Sequence, residues 1–195
     1  MPALLLFVGG LLLPLFKGIS QKAYSLLIPL LVIFSLTQME TGNFGEIDFA
    51  GISLVMFKVD KLSLFFGWVF AITALIGNIY SLHISHSGQR VAAFLYMGSA
   101  FMVLFAGDWF TLLVGWEIMA FASAYLIFAS REKPAVKAGF RYLMVHVTGG
   151  VLLFAGIVLH GLETGSYLFG PIEVAQQGGT AYNLILIAFM INAAV

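Results

Sequence analysis

A single carboxylic acid lies inside a long apolar segment of this 195-residue chain. Glu117 belongs to FTLLVGWEIMAFASAYLIF (110–128) and lies about eight residues into the segment, or roughly 12 Å along a helix. An ionisable side chain at such a depth in a bilayer costs about 2.5–3.5 kcal/mol on insertion scales. Burial raises the pKa of a carboxyl group and a nearby cation lowers it, so such a group can exchange a proton when the cation moves. Glu117 is therefore predicted to exchange protons; the alternative is a structural glutamate whose hydrogen bonds join two helices.

Small residues accompany Glu117 on one face of its helix. Ala120 and Ala124 follow at i+3 and i+7, which are positions that share a helix face. Small side chains allow two membrane helices to approach closely. This face is predicted to contact another helix and not lipid.

The next apolar segment carries a second set of polar residues, namely Lys137, Arg141, Tyr142 and His146. Tyr142 shares the face of His146, as do the two glycines at i+3 and i+4, Gly149 and Gly150. Histidine titrates near neutral pH and suits a proton relay, although a hydrogen-bonded histidine between two helices is the alternative. Lys137 and Arg141 form an i, i+4 pair that could extend to the membrane surface, and Lys137 could instead supply a cation to a titratable group. The predicted proton or ion pathway comprises Glu117, Lys137, Arg141, Tyr142 and His146.

The remaining polar residues indicate no catalytic, cofactor or metal site. The chain has no cysteine, which excludes disulfides and thiolate sites. His83 and His86 form a pair without a third ligand and are expected to be solvated loop residues. No phosphate-binding loop or hydrolytic triad is recognisable, so any redox or hydrolytic chemistry is expected on another subunit.

The composition places these residues in a membrane. Hydrophobic residues make up 61% of the chain and charged residues 9%, against about 45–50% and about 25% in soluble domains. A basic nucleic-acid-binding face is excluded as well, because the net charge is +0. The sequence predicts an all-α membrane protein with six transmembrane helices plus the start of a seventh. The predicted spans are residues 2–16, 23–39, 61–82, 91–107, 109–129, 138–160 and, in part, 183–195, with an extended excursion or hairpin at 40–60.

The charges of the connecting loops predict the orientation. Basic residues dominate the first, third and fifth loops, whereas acidic residues dominate the second, fourth and sixth. Because cytoplasmic loops carry an excess of Lys and Arg, the odd loops are predicted to be cytoplasmic and the N-terminus to be outside. The expected location is the cell (inner) membrane. The N-terminal segment lacks a basic region and a small-residue cleavage site, so it is interpreted as a first span.

The segment AGDWFTLLVGWEIMAFASAYLIFASREKPAVKAGFRYLMVHVTGGVLLFAGIVLH (106–160) resembles a known family. It is similar to the antiporter-like subunits shared by respiratory complex I, Mrp-type cation/proton antiporters and membrane-bound hydrogenases. The GWE motif looks like that family's key glutamate, which assigns the role to Glu117. Arg141, Tyr142, His146 and the two following glycines look most like the Mrp and hydrogenase branches, and VDKLSLFF (59–66) also fits.

The resemblance implies an ion-translocating subunit of a larger membrane complex. Family members have about fourteen spans in two inverted repeats, each with a broken helix and a lysine that pairs with the glutamate. This chain covers only the N-terminal portion, so another polypeptide or a longer form of this one is expected to supply that lysine. The alternative is a structural subunit that anchors a neighbouring pump or redox arm without conducting ions. Neither the choice between protons and sodium nor the complex follows from the residues.

Overall fold

The computed structural model of the chain describes residues 1–49, 51–84, 86–130, 132–170 and 178–194. Arg131 and Glu173, which contribute to the predicted loop charges, lie outside these ranges. The elements are α1 (Pro2–Leu12) with a 3-10 turn (Leu13–Leu15), α2 (Gly18–Thr37), β1 (Gly42–Phe49), β2 (Ile52–Val59), α3 (Lys61–Tyr80) with a 3-10 turn (Ser81–His83), α4 (Ser87–Leu104), α5 (Trp109–Phe128), α6 (Lys133–Thr164) and α7 (Thr180–Ala193). Helices dominate, as the predicted class requires.

Four helical segments within the described ranges are long and apolar enough to span a membrane. They are Gly18–Thr37, Lys61–His83, Trp109–Phe128 and Lys133–Thr164, and the shorter apolar helices are Pro2–Leu15 and Thr180–Ala193. Large apolar side chains cover the outside of the bundle, among them Leu11, Phe34, Ile76, Met144 and Met190. Soluble proteins rarely expose so much contiguous apolar surface to water. The chain is a multi-pass membrane protein, while the count of six spans and the external N-terminus remain predictions.

The helices pack as two groups that share the contact between α4 and α5. In the first group α4 packs against α1, and α2 packs against α1 and α3; in the second, α6 packs between α5 and α7. Each group has its own buried apolar cluster. The first cluster is centred on Leu6, Val32 and Phe101, and the second on Leu153 and Ile157. The predicted pathway residues all lie in the second group.

Helix α6 is longer than the segment predicted from hydropathy. It covers Lys133–Thr164, not residues 138–160, because it begins with Pro134 in its first turn and ends at Gly165 in a left-handed conformation. Proline fits a first turn, where its missing N–H is not needed, and glycine adopts a left-handed φ without strain. Lys137 is consequently a helical residue and does not lie in a loop.

One end of the bundle is joined by backbone hydrogen bonds. Strands β1 and β2 form an antiparallel hairpin, which lies within the excursion predicted at 40–60. Lys58 N–H donates to Phe105 O at 2.7 Å, and Gly107 N–H donates to Val55 O at 3.0 Å. Phe105 and Gly107 belong to the connection between α4 and α5. The other side of this connection pairs with the segment after α6, since Phe169 N–H donates to Gly107 O at 3.0 Å. The hairpin, the α4–α5 connection and the start of the α6–α7 connection therefore lie at one end.

Two aspartates at this end fix where helices begin. Asp60 accepts from Ser63 N–H at 2.7 Å and caps α3, and Asp108 accepts from Thr111 N–H at 2.7 Å and caps α5. Caps of this kind satisfy amide groups that have no partner within the helix. The hydrogen bond from the Ser63 backbone holds the pKa of Asp60, outside the spans, below its usual range.

Arg90 corrects one expectation at the opposite end. Its position in the sequence predicts a loop charge, but it lies in the first turn of α4 with only 4% of its surface exposed. Its guanidinium donates to Ser25 Oγ at 2.8 Å and to Gln21 Oε1 at 3.4 Å. Arg90 is therefore a buried link between α4 and α2. The reason is that helix α4 begins at Ser87, four residues before the span predicted at 91–107, so Arg90 belongs to the helix and its side chain turns inward.

Candidate functional site

Glu117 lies where α5 crosses α6. Its side chain is half-buried, and its carboxylate rests directly against the backbone of Gly150. A Cβ atom at Gly150 would overlap Glu117 Oε1. The approach depends on glycine, since any other residue would occupy the position of the carboxylate oxygen. Gly150 lies one helical turn, about 6 Å, from His146 along α6.

His146 is the centre of a chain of side-chain hydrogen bonds that joins α5, α6 and α7. Its Nε2 lies 2.9 Å from Tyr142 Oη, and its Nδ1 lies 2.9 Å from Asn192 Oδ1. Tyr142 Oη in turn lies 2.6 Å from Ser123 Oγ. Only 8% of the His146 surface is exposed. Three helices therefore contribute to one polar chain, in which His146 is buried.

The α7 end of this chain also depends on a glycine. A Cβ atom at Gly149 would lie 2.6 Å from Asn192 Cγ and closer still to the amide oxygen and nitrogen. Asn192 is 7% exposed, and its Nδ2 has no hydrogen-bond partner among the described residues. Gly149 and Gly150 thus receive two polar groups side by side, the amide from α7 and the carboxylate from α5.

The arrangement has the chemistry of a proton relay. Serine and tyrosine hydroxyls each donate one proton and accept others, and imidazole can hold a proton on either nitrogen. A carboxylic acid beside such a chain can gain or lose a proton in response to its surroundings. In the described ranges, no three His, Cys, Asp or Glu residues are grouped so that they could hold a metal ion.

The structure brings together some of the predicted pathway residues and separates others. Tyr142 and His146 are hydrogen-bonded, and Glu117 lies one turn away along α6. Lys137 and Arg141 are exposed on the surface of α6. They lie about 20 Å and about 14 Å along the helix axis from Gly150, beyond the reach of a side chain that must meet Glu117. Neither supplies the cation for Glu117 in this structure.

The small residues beside Glu117 are buried. Ala120 and Ala124 each expose 2% of their surface. The face that was predicted to contact a helix therefore lies inside the bundle. Ser123, between them, donates to Ala120 O at 2.8 Å and meets Tyr142 across the α5–α6 contact.

Sequence reasoning missed Asn192 and Ser123. Asn192 is the one amide in the apolar run LILIAFMIN (184–192), and a buried amide requires partners. The sequence therefore indicates that Asn192 contacts another polar residue. The partner could not be named, because His146 lies 46 residues away in the sequence.

Comparisons with known proteins agree with this fold. Residues 106–195 match the sequence profile of the family described as NADH:quinone oxidoreductase/Mrp antiporter, TM. These residues belong to the antiporter-like family. The matched region contains Glu117, Tyr142, His146 and Asn192, and the predicted resemblance is confirmed.

Named relatives extend the similarity over most of this antiporter-like chain. Hydrogenase-4 component B of Escherichia coli (strain K12) is 27% identical over 150 residues, which are 73% of this chain and 22% of that protein. NADH-quinone oxidoreductase subunit N of Desulforamulus reducens is 26% identical over 195 residues, which are 95% of this chain and 40% of that protein. The antiporter-like chain thus spans less than half the length of these relatives.

A solved structure shows the same fold. A chain in the Mrp complex from Dietzia sp. DQ12-45-1b superposes with a TM-score of 0.79 at 19% identity, covering 98% of this chain and 23% of that one. The superposition includes the α1–α4 region that the family profile does not match. The antiporter-like fold therefore extends over the N-terminal half as well.

Proposed function

We propose that this chain is an ion-translocating, antiporter-like part of a multi-subunit cation/proton antiporter or of a respiratory or hydrogenase complex. Glu117 is its intramembrane proton-exchanging group. Tyr142 and His146 continue the pathway along α6, and Lys137 and Arg141 lie toward the end predicted to be cytoplasmic. The transported ion is a proton, sodium or both.

One observation carries this proposal: the Glu117 carboxylate rests on Gly150, one turn from the buried His146 chain. A purely structural glutamate needs hydrogen-bond donors, whereas the surface that Glu117 meets on α6 is a glycine backbone. A chain of hydroxyl and imidazole groups next to a carboxylic acid is instead typical of proton transfer. Intramembrane ionisable residues mark ion pathways by default, because their burial is costly.

The relatives support the assembly in a larger complex. Two of them are named as a hydrogenase component and as a subunit of NADH-quinone oxidoreductase. Since Lys137 and Arg141 are too distant, the cation that pairs with Glu117 is proposed to come from a broken helix outside these 195 residues. We propose that the chain lies in the inner membrane with its N-terminus outside, as its loop charges predict.

The test replaces Glu117 with glutamine. Glu117→Gln keeps the shape of the side chain and removes its exchangeable proton. Ion flux in vesicles, at matched levels of assembled protein, is expected to fall roughly 10²-fold, the lower range for loss of an acid–base group. Glu117→Asp is expected to retain part of the flux, because the acid survives with a shorter reach.

The matched control is Glu163→Gln, which makes the same chemical change at an exposed residue near the end of α6. Its flux is expected to equal that of the unmodified chain. Near-normal flux in Glu117→Gln would favour the alternative, a structural subunit that anchors a neighbouring pump or redox arm.

A further inference from the structure

Asn192 makes the only hydrogen bond that reaches the His146 side chain from α7 within the described residues. Its Oδ1 lies 2.9 Å from His146 Nδ1, and both side chains are more than nine-tenths buried. A side-chain carbonyl oxygen can only accept a hydrogen bond. The nitrogen facing it, His146 Nδ1, must therefore carry a hydrogen.

We propose that Asn192 is a positioning residue that holds His146 in its Nδ1–H form and leaves Nε2 as the nitrogen that receives a proton. The inference rests on the proposed function, because it gives His146 a direction within that pathway. Asn192 takes no proton itself, since an amide is not a proton carrier at neutral pH.

The hydrogen atoms of the chain can be assigned completely on this basis. With Nδ1–H donating to Asn192, the neutral imidazole accepts at Nε2 from the Tyr142 hydroxyl. Tyr142 Oη then accepts from the Ser123 hydroxyl, which lies 2.6 Å away and turns toward it from Ala120 O. Each of the three links from Ser123 to the Asn192 carbonyl oxygen then has one donor and one acceptor.

The same chain also accepts an added proton. When an acid outside the chain, such as a hydronium ion, delivers a proton to Ser123 Oγ and leaves as its conjugate base, the Ser123 proton passes to Tyr142 Oη and the Tyr142 proton passes to His146 Nε2. One proton has entered and the imidazole carries one positive charge. Nε2–H now donates to Tyr142, Tyr142 donates to Ser123, and Ser123 donates to Ala120 O, which lies 2.8 Å away.

The charged groups around His146 are few. Glu117 of α5 faces the next turn of α6, and Tyr142 contacts the ring directly. Tyr125 of α5 is exposed, as are Lys137 and Arg141 of α6. Helix α7 (Thr180–Ala193) carries no charged residue, and its Tyr182 lies about 15 Å along the axis from Asn192. Among the groups named, Glu117 is thus the one that can accept the added proton from His146.

The shape of the contact supports a fixed Asn192. The amide fills the notch at Gly149, where a Cβ atom would overlap it. A side chain enclosed in this way loses little additional freedom when it holds the imidazole. A positioning role needs such rigidity, because the tautomer ratio depends on one hydrogen bond.

The experiment measures the tautomer of His146 directly. The chain is labelled with 15N-histidine in its native membrane assembly, and the His146 resonances are identified by their loss in His146→Gln. The neutral ring is expected to show a protonated Nδ1 and a bare Nε2. Asn192→Leu removes the acceptor and is expected to change the tautomer ratio roughly tenfold, the effect of one hydrogen bond. Asn192→Asp keeps an acceptor and is expected to keep the Nδ1–H form.

Asn78→Leu is the matched control, because Asn78 is a buried asparagine that donates to Ala74 O within α3. Its His146 spectrum should be unchanged. An Nε2–H ring in the unmodified chain overturns the inference, and so does an unchanged ratio in Asn192→Leu. The first measurement decides the matter even if that variant does not assemble. Normal flux in Glu117→Gln overturns the proposed function instead, whichever tautomer is found.

Discussion

At the scale of single residues, two adjacent glycines determine the geometry of the site. Gly149 and Gly150 lie next to each other on α6 but receive side chains from different helices, the Asn192 amide and the Glu117 carboxylate. Without Cβ atoms they let both polar groups approach the helix backbone. Each glycine destabilises a helix by about 1 kcal/mol relative to alanine. The pair offsets this cost by leaving space for the Asn192 amide and the Glu117 carboxylate.

This geometry predicts that Gly150→Ala impairs transport. The new methyl group would occupy the position of Glu117 Oε1, so the carboxylate must move by about the width of an atom. Displacements of about 1 Å at a reacting group can cost up to about 10²-fold, and flux is expected to fall tenfold or more. Flux at matched protein level is the measurement.

Gly77→Ala is the matched control for that change. Gly77 is also inside a helix, but the nearest atom to its Cβ position is Met97 Cε at 3.8 Å. It should leave flux unchanged. If Gly150→Ala behaves like Gly77→Ala, the position of Glu117 has no role in transport.

The sequence reveals those site residues whose side chains are ionisable within an apolar segment. Glu117 stands out because an acid in an apolar run is costly, and His146 because a histidine in an apolar segment suits a proton relay. Asn192 was missed because an amide is polar without being charged, and its partner depends on how α7 packs against α6. Arg90 was assigned to a loop because sequence alone does not show on which side of a helix boundary a residue lies.

At the scale of elements, one short connection joins the two groups of helices. The α4–α5 connection is held by β2 on one side and by Phe169 on the other, through three backbone hydrogen bonds of 2.7–3.0 Å. The connection leads directly to Asp108, which caps α5. The start of the helix that carries Glu117 is therefore fixed against the hairpin and against the end of α6.

Gly107→Ala should loosen this connection. A Cβ atom at Gly107 would lie 2.5 Å from Val55 O, and a backbone carbonyl within a strand cannot turn away. Overpacking of this kind costs about 1–3 kcal/mol. Thermal unfolding is expected at a lower temperature, with faster hydrogen exchange at the Lys58 amide.

Gly170→Ala provides the comparison, because no atom of the described residues lies within 4 Å of a Cβ at Gly170. It should match the unmodified chain in both measurements. Equal exchange at Lys58 in the two variants would show that the hairpin does not hold the α4–α5 connection.

Periodicity and hydropathy indicated the type of each element better than its limits. The long apolar runs indicated helices, and alternation around residues 47–54 indicated an extended excursion. The helix limits depend on caps and on single turns, as at Pro134 and Gly165 of α6. Hydropathy reports which residues suit lipid, whereas a hydrogen-bonded helix continues into polar flanks.

At the scale of the whole molecule, acidic residues predominate at one end of the bundle and basic residues at the other. The hairpin end holds Asp48, Asp60 and Asp108, together with the two glutamates that flank β1 or lie within it. The opposite end holds Lys17, Lys22 and the basic residues that begin α6. Because α5 has 20 residues, the two ends are about 30 Å apart, the thickness of a bilayer core.

This separation predicts which end faces the cytoplasm. Single cysteines at Ser53 and Ser130 are specific probes, since the chain has no cysteine of its own and both serines are exposed. Ser53 lies in the hairpin and Ser130 follows α5, so they mark opposite ends. Basic residues are retained on the cytoplasmic side. A membrane-impermeant thiol reagent should therefore label Ser53→Cys in intact cells, and Ser130→Cys only in inverted vesicles. The reverse pattern would invert the orientation and place Lys137 and Arg141 at the outer surface, whereas labelling of both from one side would contradict a chain in which α5 crosses the membrane.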